Sequence, residues 1–238
     1  MRWWAAVLDL LFPPRCVSCH RLGDWLCAEC RNAIEMIPVP MCRFCALPLP
    51  EHETSGVCPS CRDREHILDG LISCAFHDGP LRRAIHDFKY GGLYSLAHSL
   101  GQIMADRWLR LRPLDKVEAI VPVPLHRRRE HQRGYNQAAL LARELGRRLQ
   151  APVVEDRLIR TRATARQTEL NAAQRRINVQ GAFACREGAF AGRSVLLVDD
   201  VCTTGSTLEA ACTALKKEGG AADVWAFTLT RARPASVP

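Results

Sequence analysis

Three features of the sequence predict an α/β fold, a mostly parallel sheet flanked by helices, behind a small cysteine-rich N-terminal module. From Ile67 onward, short apolar runs alternate with stretches of helical periodicity, the pattern of parallel strands joined by crossover helices. Eight of the twelve cysteines form four C-x-x-C pairs, all before residue 62. The continuously apolar run Val195–Val198 meets two carboxylates and then a Thr/Gly/Ser turn. Parallel sheets place ligand loops at such strand ends.

At 238 residues, the chain fits one ordinary domain or a domain with a small appendage. Its first segment, residues 1–13, reads as an amphipathic helix with Trp4, Val7, Leu8 and Leu11 on one face. The apolar run there is short, is interrupted by Asp9, and precedes no A-x-A-like cleavage site, so it does not read as a signal peptide. No stretch approaches the roughly 18 to 20 apolar residues a membrane span needs. The expected location is the cytoplasm.

Residues 14–66 are rich in Cys and Pro and show little periodicity. So short a segment buries little core, and metal ligation must supply its folding energy. A C-x-x-C knuckle presents two thiolates to one ion, and two knuckles complete a tetrahedral S4 zinc shell. In a reducing compartment metal is the expected partner rather than a disulfide. We expect two zinc ions, with Cys16, Cys19, Cys27 and Cys30 in one site and Cys42, Cys45, Cys58 and Cys61 in the other. A cross-braced pairing, a single zinc and a redox role are the alternatives. No longer internal repeat is evident.

Residues 67–238 should form the sheet domain. Leu68–Phe76 reads as a strand, and Leu81, Ile85 and Phe88 mark a short helix ending at Gly91-Gly92. Leu96, Leu100, Ile103 and Met104 mark the next helix. Ala119–Val123 is a short strand, followed by a very basic segment, Pro124–Arg133, expected to be a loop. Ala138, Leu141, Ala142, Leu145 and Leu149 make a clear helix face. Ser194–Val198 is a buried strand, and Leu208, Ala211, Cys212 and Leu215 line the helix after it, stopped by Gly219-Gly220. Val224–Leu229 is the last strand.

The run Val195–Thr207 carries the chemistry. Asp199 and Asp200, at the expected strand end, can accept hydrogen bonds from neighbouring hydroxyls. Thr203, Thr204, Gly205, Ser206 and Thr207 open a helix, and a glycine-containing loop at a helix start offers backbone N–H groups and the positive dipole end to phosphate. The net charge of +8 is mostly arginine, because Lys89, Lys116, Lys216 and Lys217 are the only lysines. Guanidinium forks suit phosphate, although a GC-rich genome enriches arginine equally. Cys74, Cys185 and Cys212 lie on apolar segments and read as core fillers, and Cys202 as a small side chain tolerated in the loop. His126 and His131 flank the basic segment. His20, His52 and His66 could replace a zinc ligand, but the cysteines already suffice.

The Val195–Thr207 run resembles the thirteen-residue phosphoribosyl diphosphate signature of type I phosphoribosyltransferases. Val121-Pro122-Val123-Pro124 with Arg127, Arg128, Arg129 and then Arg133–Gln137 is similar to a segment of ComF family proteins, as is Leu81–Tyr90. Arg160-Thr161-Arg162 with Gln167, Arg175 and Asn178 looks like that family's flexible loop, and the four C-x-x-C pairs look like its double zinc ribbon. The resemblance implies a type I phosphoribosyltransferase-like fold. It makes Asp199 and Asp200 the catalytic pair on the ribose hydroxyls and Thr203–Thr207 the 5′-phosphate cradle. Pro124, Leu125, His126 and Arg127 would face pyrophosphate, Arg162 and Gln167 would belong to a lid spanning 160–176, and magnesium would bridge pyrophosphate and ribose oxygens.

Three functions compete. ComF membership implies natural competence: uptake of single-stranded DNA, with partners among DNA-uptake proteins such as a competence helicase. In that reading Arg127, Arg128, Arg129 and Arg133 track the backbone, with Tyr90, Tyr94 and Tyr135 as sparse stacking platforms. An active transferase moving ribose 5-phosphate to a nucleobase-like acceptor is the second. A zinc-ribbon adaptor with a vestigial site is the third.

Overall fold

The computed structural model describes residues 13–51, 53–114, 116–162 and 178–234. The N-terminal helix expected over 1–13, His52, Gln167, Arg175 and most of the expected lid therefore lie outside the described residues.

Two short helices, α1 (Ala28–Asn32) and α2 (Pro59–Arg62), start inside cysteine knuckles and carry their second cysteines, Cys30 and Cys61. The sheet domain then runs β1 (Gly70–Phe76), α3 (Gly79–Tyr90), α4 (Leu96–Leu111), β2 (Ala119–Pro122), α5 (Arg127–Arg133), α6 (Gln137–Leu149), β3 (Leu158–Arg160), β4 (Phe183–Cys185), β5 (Ser194–Cys202), α7 (Ser206–Lys217) and β6 (Asp223–Arg231). Among the described residues β1, β6, β5 and β2 lie side by side in that order, all parallel. The antiparallel pair β3–β4 stands apart from that sheet.

Side-chain alternation sorts the core into two layers. Ile72, Ile120, Leu196, Val198, Phe227 and Leu229 face α3, α4 and α6, while Leu71, Val121, Val195, Leu197, Val224 and Ala226 face α7 and the β3–β4 pair. Local signals place the helices. Asp78 caps α3 by accepting the Gly79 N–H at 2.7 Å, and Asn136 caps α6 by accepting the Ala138 N–H at 3.0 Å. At Gly70 a Cβ would come within 2.3 Å of the Trp225 ring on the neighbouring strand, so the indole occupies the space a side chain would need.

Two expected boundaries are corrected. The basic segment after β2 is partly helix: α5 runs from Arg127 to Arg133. His126 caps it, its Nδ1 facing the Arg128 N–H at 3.3 Å, and Gly134 ends it at φ 82°. Arginine, glutamate and glutamine are good helix formers, and charge had masked that propensity. Strand β5 also continues past Val198, because its pairing with β6 extends through Asp199↔Thr228, Val201↔Thr230 and Cys202↔Arg231. Asp199 and Asp200 thus sit within a strand rather than beyond its end.

The cysteine-rich segment covers one edge of the sheet. Met36 bridges Ala75, Ile37 N–H donates to the Cys74 carbonyl at 3.0 Å, and Phe76 N–H donates to the Glu35 carbonyl at 3.0 Å. Strand edges are otherwise open to unwanted pairing. The segment also contains a structural repeat that its sequence hides. Cys16 N–H donates to Arg21 and Cys42 N–H to Leu47, each at 2.8 Å. Gly23 N–H donates to Pro14 and Leu49 N–H to Pro40, each at 2.9 Å. His20 and Ala46 take the matching left-handed positions, at φ 63° and 55°.

Candidate ligand site and metal centres

Strands β2 and β5 are neighbours, so their carboxyl ends bring the Pro124–His126 segment beside Asp199, Asp200 and the loop that follows. That loop turns at Gly205, whose φ of 86° favours glycine. It then opens α7, a helix of 12 residues with no side-chain cap on its N-terminus. The hydroxyls of Thr204 and Ser206 bond each other at 2.9 Å. The Ser206 N–H faces the Thr204 hydroxyl at 3.5 Å, and the positive end of the helix dipole lies at this turn, an arrangement that suits an anion.

Alternation gives the two carboxylates different surroundings. Asp200 is 2% exposed and lies on the face of α3 and α6. There it pairs with the Lys89 ammonium and accepts from Gln137 Nε2 at 3.2 Å. Burial alone would raise its pKa, but the Lys89 charge, with hydrogen bonds from Lys89 and Gln137, holds it below the usual carboxylate range. Asp199 is only partly covered. Its carboxyl is pushed well above the ordinary value of 3.8 by desolvation and then by the charge of Asp200. One carboxylate is therefore held ionised and the other is held toward its neutral form.

Cations approach Asp199 from another side. The Arg160 guanidinium, stacked 5.2 Å over the Phe183 ring, is lowered first by burial and then by Arg129, while Asp199 opposes both. Arg160 of β3 thus lies within electrostatic reach of both Arg129 of α5 and Asp199 of β5. Arg127 and Arg128 are exposed, and Arg133 lies 5.4 Å over the Tyr90 ring. Tyr90 and Tyr94 stand in solvent at 68% and 66% exposure, whereas Tyr135 donates to the Phe88 carbonyl and belongs to the packing. Arg162 donates from Nη2 to the carbonyls of Asn178 at 3.3 Å and Gln180 at 2.8 Å.

Three residues missing from the sequence-derived site belong to it: Lys89, Gln137 and Arg231. Lys89 and Gln137 hold Asp200. Arg231 donates to the carbonyls of Cys202 at 3.2 Å and Thr203, directly beneath the loop. Their rarity was a signal for one of them, since Lys89 is among four lysines in the chain.

Among the described residues, cysteine sulfurs gather in two groups, Cys16/19/27/30 and Cys42/45/58/61, with ligand atoms within 4.8 Å of one another. The sequential pairing is the one observed. Zinc–sulfur bonds of about 2.3 Å require tetrahedral edges of roughly 3.8 Å. Cys19 and Cys27 lie 3.6 Å apart, and Cys45 and Cys58 3.7 Å, so both groups fit zinc. Burial raises the Cys16 thiol, but backbone N–H groups of Cys19, Cys27 and Ser18 outweigh it and lower that thiol to about 6, whereas burial pushes Cys30 and Cys61 up to about 12. His20 is exposed, and His66 stacks on Phe44 at 3.8 Å and bonds the Cys61 carbonyl, so neither is a ligand in these groups. The remaining cysteines fill the core: Cys74 and Cys212 are fully buried, and burial pushes the Cys202 thiol up to about 11.

The fold and these two centres define a class of protein: a phosphoribosyl transferase-type domain carrying two four-cysteine zinc ribbons. Family models agree, with a double zinc ribbon domain matching residues 7–66 and a phosphoribosyl transferase domain matching residues 133–236. The chain is 33% identical to Competence protein F of Haemophilus influenzae, over 86% of this chain and 92% of that one. It is equally similar, 33%, to DNA utilization protein YhgH of Escherichia coli K12, over 93% and 99%. Adenine phosphoribosyltransferase from Saccharomyces cerevisiae is 19% identical, covering 61% of this chain and 72% of that one with a TM-score of 0.37. The chain belongs to the ComF family. No helix among the described residues is long and apolar enough to cross a membrane.

Proposed function

We propose that this chain binds a phosphoribosyl diphosphate-like ligand with magnesium at the carboxyl ends of β2 and β5. We further propose that it handles single-stranded DNA for natural competence in the cytoplasm. The observation that carries the first part is the β5–loop–α7 unit. A partly exposed Asp199 beside a buried, ionised Asp200 leads into the hydroxyls and backbone of a helix start. Carboxylates suit ribose hydroxyls, and the helix end suits the 5′-phosphate. Magnesium would be held by ligand oxygens and water more than by protein.

The DNA part is supported by the printed names of the relatives, a competence protein and a DNA utilization protein, and by Arg127 and Arg128 on the open face of α5. Partners among DNA-uptake proteins, a competence helicase included, follow from the same reading. Thiolate zinc centres suit a reducing compartment.

A second reading, transfer of ribose 5-phosphate to an acceptor, is favoured by Arg160, which lies within electrostatic reach of Asp199 and Arg129. Such cations would stabilise departing pyrophosphate. One comparison tests both readings: calorimetric titration with phosphoribosyl diphosphate and magnesium, with a single-stranded oligonucleotide in parallel. Binding of both supports the first reading. Turnover to free pyrophosphate with a nucleobase present supports the second. No binding of phosphoribosyl diphosphate at millimolar concentration overturns the ligand assignment.

A further inference from the structure

We propose that Arg231 couples the second four-cysteine centre to the anion-binding loop, so that the state of that centre sets the affinity of the loop. The proposal rests on the ligand reading above. Arg231 is the last residue of β6 and is 8% exposed. Its Nε donates to the Cys45 carbonyl at 2.8 Å, and its Nη1 donates to the carbonyls of Cys202 at 3.2 Å, Thr203 and Ala232 at 3.2 Å. One side chain thus joins a knuckle of the second centre to the last residue of β5 and the first of the loop, across 186 positions of sequence for Cys45.

Two physical consequences follow. In a trans peptide the C=O and the next N–H point in opposite directions. Drawing the Cys202 and Thr203 carbonyls down onto the guanidinium therefore turns the N–H groups of Thr203 and Thr204 the other way, toward the open side of the loop. The second consequence is electrostatic. Among the described residues no carboxylate pairs with Arg231, and carbonyl acceptors leave its net charge in place. A buried positive charge beneath the loop favours an anion above it. Arg231 is a positioning residue, acting on the ligand through the loop.

The other end of the strut depends on the metal centre. Cys45 is one of the four clustered thiols, and its carbonyl stays under Arg231 only while the knuckle is folded. Losing the second ion frees the Cys45 backbone, removes one acceptor from a buried guanidinium and loosens the loop.

The test uses the full zinc-loaded chain and three variants, Arg231→Met, Arg231→Lys and Cys58→Ser, with the double variant Arg231→Met/Cys58→Ser. Inorganic pyrophosphate and phosphoribosyl diphosphate, each with magnesium, are the calorimetric probes. Zinc content and amide hydrogen exchange over residues 203–208 are read in parallel. Arg231→Met should weaken both probes by tenfold or more while keeping two zinc ions, and Arg231→Lys, which keeps the charge without the fork, should lose less. Cys58→Ser should lose one zinc and weaken the probes similarly. The double variant should be no weaker than the worse single variant, because both act on one strut. Exchange over 203–208 should rise in every variant. Independent, additive losses, or a protected loop after loss of the second zinc, overturn the coupling. If the wild type binds neither probe while exchange over 203–208 still rises in Cys58→Ser, the ligand reading fails and the coupling stands. Should Arg231→Met not fold, Arg231→Lys carries the same comparison.

Discussion

Lys89 reaches Asp200 and not Asp199, so substituting the two neighbours should have opposite effects on stability. The folded Asp200 binds its proton less tightly than the unfolded chain does. Its contribution is fully present above the ordinary carboxylate pKa and is lost as pH falls through its depressed folded value. Asp200→Asn strands Lys89 half-buried and should cost about 3–5 kcal/mol at neutral pH. Asp199 has the reverse sign. Its folded pKa is raised, so ionising it opposes folding, and the penalty grows as pH rises above 3.8 toward the folded value. Asp199→Asn should raise the melting temperature at neutral pH, by about 2–4 °C per kcal/mol, with no gain near pH 3. The same substitution should weaken phosphoribosyl diphosphate by roughly several-fold to tenfold, the worth of about one hydrogen bond. Thermal scans against pH and one titration check all of this. The carboxylate pair and the loop were legible in sequence because their chemistry is contiguous. Lys89, Gln137 and Arg231 were not, because only the packing of α3, α6 and β6 carries them to the site.

At the scale of elements, the knuckles and α5 make the sharpest claims. Each cluster draws all four thiols from one stretch of chain, so Cys42→Ser should remove one zinc and leave the first centre loaded. Elemental analysis showing two ions in the wild type and one in the variant is the expected result, and loss of both would contradict separate centres. Helix α5 narrows the expectation for DNA. Arg127 and Arg128 are open to solvent, while Arg129 is partly buried near Arg160. Replacing all three with Ala should therefore flatten the salt dependence of single-stranded DNA binding by about two contacts, each worth a log–log slope of roughly 0.7. Filter binding across salt concentrations measures this, and an unchanged slope removes the assigned role of α5. The cysteine spacing made the clusters readable from sequence, because ligand geometry constrains spacing directly. The repeated turn around Cys16 and Cys42 escaped notice because its partners are backbone groups, which any side chain can supply. The helical character of α5 was hidden for a different reason: its run of charge carries no apolar face to set a period, and the helix propensity of Arg, Glu and Gln with a stop at Gly134 is the weaker signal.

For the whole molecule, the cysteine-rich segment is bonded to the sheet it precedes. Leu26 and Cys30 lie in the same hydrophobic cluster as Phe88 and Leu100, and backbone bonds tie residues 35–43 along β1. Stripping zinc with a chelator should lower the stability of the entire chain. Circular dichroism and tryptophan fluorescence should report one coincident transition, and a sheet melting at its original temperature after zinc removal would show the two parts to be independent. The alternation of strands and helices disclosed the parallel sheet in advance, but no local pattern could show that β6 lies between β1 and β5. That position governs the order of assembly on the ribosome. The knuckles can close early, each from a short stretch of chain. Strands β1 and β5, by contrast, have no shared neighbour until β6 has been made. A nascent chain therefore holds two apolar strand edges open until β6 has emerged, and that strand completes the centre of the sheet.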